Sequence, residues 1–118
     1  MGNKLSETAG YEAMRAFLKR GTDLDGLYAV SDALALGAYR AIKEHGRRIP
    51  DNIAVIGIGD YEISPFFDPP LSCVGVSHRE LAEQASRLLL RQLERGAGPG
   101  QIVTVPLVET LRSSSGHS

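Results

Sequence analysis

The sequence predicts an α/β fold in which helices pack on a mostly parallel sheet. Two apolar runs, at residues 26–30 and 53–58, flank a helical pattern at residues 33–45. A strand, a helix and a strand in this order predict two parallel strands joined by a right-handed crossover. Both runs are apolar throughout rather than alternating, which is typical of strands covered on both faces. We therefore predict a three-layer sandwich with helices on both sides of the sheet.

The N-terminal part of the chain predicts one further helix. Residues 1–4 are expected to be leader residues, and Ser6 is of the type that favours a helix N-cap. Apolar residues at helical spacing then predict a helix at about residues 7–20. In the helix at residues 33–45, Leu36 and Tyr39 lie off the line of the inner apolar residues. This second apolar side predicts burial against something else, such as another subunit.

Residues 61–71 form a proline-rich connection that carries two adjacent aromatic residues, Phe66 and Phe67. A polar loop would be the default, so these rings need a surface on which to pack. Two interpretations remain open at this point. The loop either folds over its own core or contributes to a subunit interface.

The C-terminal part of the chain predicts a strand, a helix and a second strand. Residues 72–76 are an apolar strand, and residues 77–80 fit a capping box at the start of a helix. Residues 102–108 are rich in strand-forming types, but Pro106 cannot donate to a ladder, which predicts an edge or crossover strand. The polar residues 113–118 are expected to form a frayed tail. In the helix that begins at residues 77–80, five apolar residues are expected to face inward: Leu81, Ala85, Leu88, Leu89 and Leu93.

The predicted order is three helices and four strands in alternation, and it begins with a helix. A parallel sheet of this kind normally begins with a strand. We therefore expect the first strand to lie upstream, and the chain to be part of a longer protein.

Composition argues against several classes of protein. The 13 basic and 14 acidic residues give a net charge of −1, without the basic excess typical of a free-standing nucleic-acid binder. The chain has no apolar run near 18 residues and no signal-peptide pattern, which predicts a cytoplasmic protein without a membrane span. The single cysteine, Cys73, lies in an apolar strand pattern and is expected to be a buried small hydrophobe. The motifs of a nucleotide or metal cofactor are missing, so we predict none.

Candidate functional residues follow the predicted parallel strands. In open α/β sheets, ligands bind beyond the carboxyl ends of the strands, where Ser31, Asp32, Gly59 and Asp60 are expected. The two aspartates could form a carboxylate pair for a metal ion or for acid–base chemistry. The alternative, which we prefer, is that Asp32 begins a helix and Asp60 belongs to a turn.

Among the three histidines, His78 is the candidate for a ligand contact. It falls in the first turn of a helix directly after a strand end, where a side chain can face a cleft. The alternative is a solvent-exposed residue at the start of the helix.

Several segments of this sequence resemble the lactose-repressor (LacI/GalR) family of transcriptional regulators. Residues 28–38, YAVSDALALGA, are similar to the family's A-x-N-D-x-x-A-x-G-A, and residues 49–57, IPDNIAVIG, to its R-V-P-x-D-I-x-V-x-G. Residues 67–72, FDPPLS, resemble its P-P-L-T-T. Residues 10–14 match the preceding helix and residues 108–114 the terminal L-V-x-R-x-S-S.

The resemblance implies that residues 5–112 are the C-terminal subdomain of an effector-sensing domain with the fold of periplasmic sugar-binding proteins. A small-molecule effector, a sugar or a sugar acid, is then expected in the cleft between this subdomain and the other subdomain of the sensing domain. Ser31 replaces a frequent Asn, Gly59 a frequent Asp and Val76 a frequent Gln, whereas His78 matches a further lining position. Asp60 is expected to turn inward in place of the missing carboxylate.

The family also dimerises through this subdomain, which implies a homodimer interface at Leu36, Tyr39, Phe66 and Phe67. Operator DNA would be bound only through a headpiece that this chain lacks. The leading hypothesis is thus a non-enzymatic sensor part of a repressor. The alternatives are a solute-binding protein of a transport system and a small enzyme that uses Asp32 and Asp60.

Overall fold

A computed structural model describes residues 4–96 and 98–117 of the chain. Residues 1–3 of the expected leader lie outside the described residues. Seven regular elements and two short 3₁₀ turns, at Ser64–Phe66 and Ser113–Ser115, follow one another in nearly the predicted order. The elements are α1 (Glu7–Lys19), β1 (Gly26–Ala29), α2 (Asp32–Glu44), β2 (Ala54–Ile58), β3 (Ser72–Val76), α3 (His78–Arg95) and β4 (Leu107–Thr110).

The four strands form one sheet in the order β1-β2-β3-β4. The β1–β2 and β2–β3 pairs are parallel, and the β3–β4 pair is antiparallel. The predicted α/β class and mostly parallel sheet are therefore confirmed. The last strand is an edge strand, but it begins at Leu107 rather than at residue 102, because the ladder starts after Pro106, which has no N–H to donate.

Helices α1 and α2 cross at two glycines. A Cβ atom built on Gly10 would lie 2.2 Å from the carbonyl oxygen of Leu34, and one on Gly37 would lie 1.9 Å from that of Glu7. Only glycine permits this approach of one backbone to the other. The two helices and the sheet enclose the core, whose fully buried members include Ala35, Ile42, Ile53, Val55, Leu71 and Cys73.

Helix α3 differs from the prediction. None of its residues is buried, and Leu93 is 73% exposed. The expectation that Leu81, Ala85, Leu88, Leu89 and Leu93 face inward is therefore wrong within this chain, although Leu88 is half-buried. The radius of gyration is 18.2 Å, against about 13.5 Å for a compact domain of this length, so the molecule is elongated. No helix among the described residues combines the length and the apolar character of a membrane span.

The expected frayed tail is ordered where the structure describes it. Ser114 is fully buried, and its hydroxyl donates to the carbonyl oxygen of Val55 at 2.6 Å while accepting from the backbone N–H of Ser72 at 2.8 Å. The backbone N–H of Ser114 donates to Pro70. Ser114 is therefore anchored against β2 and β3, which corrects the expectation of a frayed tail at this residue.

Candidate functional site

The first two candidate residues, Ser31 and Asp32, begin helix α2. The hydroxyl of Ser31 accepts from the backbone N–H of Leu34 at 3.2 Å and caps the helix. One carboxylate oxygen of Asp32 accepts from the N–H of Ala33 at 3.0 Å. Both side chains satisfy backbone donors of the first turn, which are otherwise unpaired in a helix.

After β2, the chain crosses over β3 at two glycines. Gly59 adopts a φ of +106°, and a Cβ on Gly75 would lie 2.8 Å from the backbone of Gly59. The N–H of Gly59 still donates to the carbonyl oxygen of Val74 at 3.0 Å. Two residues without side chains thus let the segment after β2 lie directly on the end of β3.

Asp60 follows in the left-handed region, with a φ of +44° that is uncommon for a residue other than glycine. One carboxylate oxygen accepts from the Thr110 hydroxyl at 3.0 Å. The other is buried 2.8 Å from Nη2 of Arg112, in an ion pair whose geometry is not that of a directed hydrogen bond. The negative charge of Asp60 is therefore matched within the protein.

The carboxylates of Asp32 and Asp60 have separate partners on different elements. Among the described residues, no three His, Cys, Asp or Glu side chains are grouped as a metal site would require. This geometry favours the helix-start role for Asp32 and the turn role for Asp60 over a catalytic pair.

Tyr61 and His78 form a stacked pair at the carboxyl end of the sheet. Their ring centroids are 4.9 Å apart, and the rings are inclined by 25°. His78 is the first residue of α3, whose N-cap hydroxyl, on Ser77, accepts from the N–H of Glu80 at 3.3 Å as predicted. The stacking partner of His78 was not predicted.

A cavity of about 290 Å³ brings three of the predicted effector-binding residues together: Asp60, Val76 and His78. Its other lining residues are Gly75, Ser77, Val108 and Thr110. Ser31 and Asp32 do not line this cavity, and Gly59 lies beside it, against Gly75.

The sequence reasoning missed three residues of this region, Tyr61, Thr110 and Arg112. A signal existed for Arg112, because an arginine two residues after an edge strand and within the terminal family-like segment needs a partner. For Tyr61 and Thr110 the sequence carried no comparable signal, since their roles depend on a crossing that brings the segment after β2 to β4.

The four residues predicted at a dimer interface divide into two pairs. Tyr39 and Phe67 are 4% and 5% exposed, lie edge to face with centroids 5.0 Å apart, and belong to the core of this chain. This corrects their assignment to an interface and favours the interpretation of a loop folded over its own core. Leu36 and Phe66 are 42% and 84% exposed and remain available to a partner.

The chain is similar to known proteins in both sequence and structure. A model of the periplasmic binding protein-like domain matches residues 1–115. The chain is 37% identical over 111 residues to the transcriptional regulator GalR of Streptococcus thermophilus, covering 91% of this chain and 33% of that regulator. The chain belongs to the LacI family of transcriptional regulators. It spans about a third of the length of the relative just named.

Solved structures of LacI-family regulators share the fold. A regulator from Enterococcus faecalis with bound ribose is 30% identical with a TM-score of 0.87, and the match covers 98% of this chain and 42% of that one. The lac repressor dimer bound to its operator and an anti-inducer is also 30% identical, with a TM-score of 0.80 over 93% of this chain and 38% of that one. The predicted family and fold are thus confirmed over nearly all of this LacI-family chain.

Proposed function

We propose that this chain is the effector-sensing and dimerisation part of a LacI-type transcriptional repressor that responds to a small sugar-like ligand or a sugar acid. The observation that carries the proposal is the cavity at the carboxyl ends of β2 and β3, lined by Asp60, Val76 and His78. Ligands of open α/β sheets bind at such strand ends. Related chains named as regulators and a family structure with bound ribose support the same function.

The cavity suits a polyhydroxylated ring. The hydroxyls of Ser77 and Thr110 can exchange hydrogen bonds with sugar hydroxyls, and Val76 and Val108 offer apolar surface to the carbon skeleton. Asp60 is engaged with Thr110 and Arg112, so no lining carboxylate carries an unmatched charge that would repel an acidic sugar. This mixture of apolar surface and few polar groups is typical of small-molecule sites.

Regulation would follow from a difference in affinity between two conformations. An effector shifts an equilibrium only when it binds one state more tightly than the other. We propose that closing of the cleft around the effector changes the relation between the two halves of a dimer and thereby the affinity for operator DNA. The DNA-binding headpiece would be a separate part of the regulator, in agreement with the net charge of −1.

The surface proposed for dimerisation is built on the exposed side chains of Leu36, on α2, and Phe66, in the 3₁₀ turn. An apolar side chain that is four-fifths exposed loses contact with water when a partner covers it.

The transport alternative, a sugar-binding protein, has less support, because the relatives named above are regulators.

The proposal is tested by nuclear magnetic resonance titration of the chain with D-ribose and, separately, with D-gluconate. We expect one of them to move the amide signals of Gly75, Val76 and His78 while leaving those of α1 in place. The variant Val76→Phe, which fills the cavity, should weaken binding about tenfold, equivalent to about 1.4 kcal/mol.

The matched control is Val103→Phe, because Val103 is 44% exposed and does not line the cavity. This variant should bind as the unmodified chain does. Absence of any shift at the cavity residues with both ligands would contradict sugar sensing at this site.

A further inference from the structure

Arg112 connects three parts of the molecule around the cavity. Its backbone N–H donates to the Ser72 hydroxyl at 2.6 Å, and its Nη1 donates to the carbonyl oxygen of Leu71 at 2.6 Å. Its Nη2 lies 2.8 Å from the buried carboxylate oxygen of Asp60. With a side chain only 19% exposed, Arg112 links the start of β3 to the turn after β2.

Asp60 requires such a partner because of its backbone. The φ of +44° follows a φ of +106° at Gly59, so two successive residues depart from the extended conformation of the strand. A left-handed conformation at a residue other than glycine persists only when its surroundings hold it. Here the guanidinium of Arg112 and the hydroxyl of Thr110 hold the side chain, one at each carboxylate oxygen.

The conformation at residues 59–60 decides where Tyr61 lies. The Tyr61 ring lies against Gly59, since a Cβ built there would be 2.4 Å from its Cε2 atom. The same ring stacks on His78, with 4.9 Å between centroids. His78 in turn lines the cavity. A continuous series of contacts therefore runs from Arg112 to a cavity residue that Arg112 does not touch.

We propose that Arg112 is a positioning residue of the effector site, which orients His78 through Asp60 and Tyr61. The inference rests on the proposed function for its biological meaning, but the orientation of His78 is a property of the chain that is measurable without a ligand. An arginine that only stabilised the fold would change the free energy of unfolding without changing the Tyr61–His78 geometry.

The test is the nuclear Overhauser effect between the ring protons of Tyr61 and His78. We expect it in the unmodified chain and expect its loss in Arg112→Met, which keeps the length of the side chain but removes the charge and the donors. Arg112→Lys keeps the charge and should restore the effect in part. Arg48→Met is the matched control, because Arg48 forms an exposed ion pair with Asp51 away from the cavity.

An unchanged Tyr61–His78 effect in folded Arg112→Met would overturn the proposal. If Arg112→Met does not fold, Thr110→Val decides, because it removes the hydroxyl that donates to Asp60 and preserves the shape of the side chain. Loss of the ring contact in Thr110→Val supports positioning through Asp60, and retention of the contact refutes it.

A titration with D-ribose separates this inference from the proposed function. If the unmodified chain binds D-ribose, Arg112→Met should bind it about tenfold more weakly, whereas Arg48→Met should not. If neither D-ribose nor D-gluconate moves the cavity signals of the unmodified chain, the proposed function fails. The ring-contact measurement then still decides whether Arg112 positions His78.

Discussion

Tyr39 illustrates how the surroundings of one side chain set its chemistry. It is 4% exposed, and its hydroxyl donates to the carbonyl oxygen of Pro69 at 3.1 Å. Burial penalises the charged phenolate, so the pKa of Tyr39 is raised to about 12 from an ordinary value near 10. The folded chain therefore retains a proton that the unfolded chain loses as the pH rises past 10.

This pKa difference predicts a loss of stability in alkali. The contribution of Tyr39 is fully present below pH 10 and disappears between pH 10 and 12, because the unfolded state releases its proton first. Tyr39→Phe lacks this contribution. At pH 8 it should be less stable than the unmodified chain by about 0.5–1.5 kcal/mol, the value of one hydrogen bond.

Urea unfolding of both chains at several pH values between 8 and 12 provides the measurement. The difference in the free energy of unfolding should shrink and then change sign as the pH rises, since two pKa units correspond to about 3 kcal/mol and only the unmodified chain has this phenol to ionise. A difference that stays constant over the range would show that Tyr39 does not have a raised pKa.

At the residue scale, the sequence predicted chemical character better than location. The apolar types of Tyr39 and Phe67 predicted that both would be covered, but a core and a subunit interface remove the same area from water, so the pattern cannot separate them. Ser114 was misjudged for the opposite reason. A hydroxyl predicts exposure, yet a buried hydroxyl is stable when its donor and acceptor are both paired, as they are with Val55 and Ser72.

At the scale of elements, the crossing of α1 and α2 depends on the two glycines whose missing side chains allow the helices to touch. Gly10 would weaken an isolated helix, but its packing role outweighs that cost. The sequence predicted both helices from their caps and their spacing. The closeness of their approach became visible only with the two backbones in place.

Gly37→Ala should therefore destabilise the fold. The new methyl group would lie 1.9 Å from a carbonyl oxygen of α1, and backbone cannot move aside as a flexible side chain can. Overpacking of this kind costs about 1–3 kcal/mol. The midpoint of urea unfolding measures it, and Gly26→Ala, where nothing lies within 4 Å of the added atom, should leave the midpoint nearly unchanged. Equal midpoints for the two variants would contradict the tight crossing.

For helix α3, the sequence pattern predicted the helix but not the surface on which it packs. Its caps and its apolar spacing predicted the helix itself correctly, from the hydroxyl of Ser77 to Gly96. An apolar stripe predicts that a helix packs on something, but it does not identify the partner. The prediction assumed that the partner was the sheet of this chain, and the exposed leucines of α3 show that it is not.

At the scale of the whole molecule, the proposed homodimer is expected to form through the exposed side chain of Phe66. Phe66→Asp should convert a dimer into a monomer in sedimentation velocity, because burying an unpaired carboxylate in an interface is strongly unfavourable. Leu93→Asp places the same charge at the far end of α3 and should leave the dimer intact. If Leu93→Asp dissociates the dimer and Phe66→Asp does not, the interface lies on α3 rather than at Phe66.

The candidate site was predictable in part for a topological reason. Parallel strands present their carboxyl ends at one edge of a sheet, so strand prediction alone placed Asp60 and His78 at that edge. Val76 was named only through the family resemblance. Strand prediction could not show that Ser31 and Asp32, which follow β1, lie outside the cavity. No local sequence pattern encodes how far apart two strands lie within a sheet. The contribution of β4 through Thr110 and Arg112 required the antiparallel pairing with β3.

The exposure of α3 predicts that this helix unfolds separately from the rest of the chain. An 18-residue helix without buried residues has little tertiary packing to stabilise it, and tertiary packing supplies most of the stability of helices in proteins. Its amide hydrogens should exchange with solvent through local opening. Those of β2, which is bonded to the buried Ser114, should exchange only when the whole chain unfolds. We therefore expect two units of different cooperativity: α3, which opens readily, and the core around β2, which opens only with the entire fold.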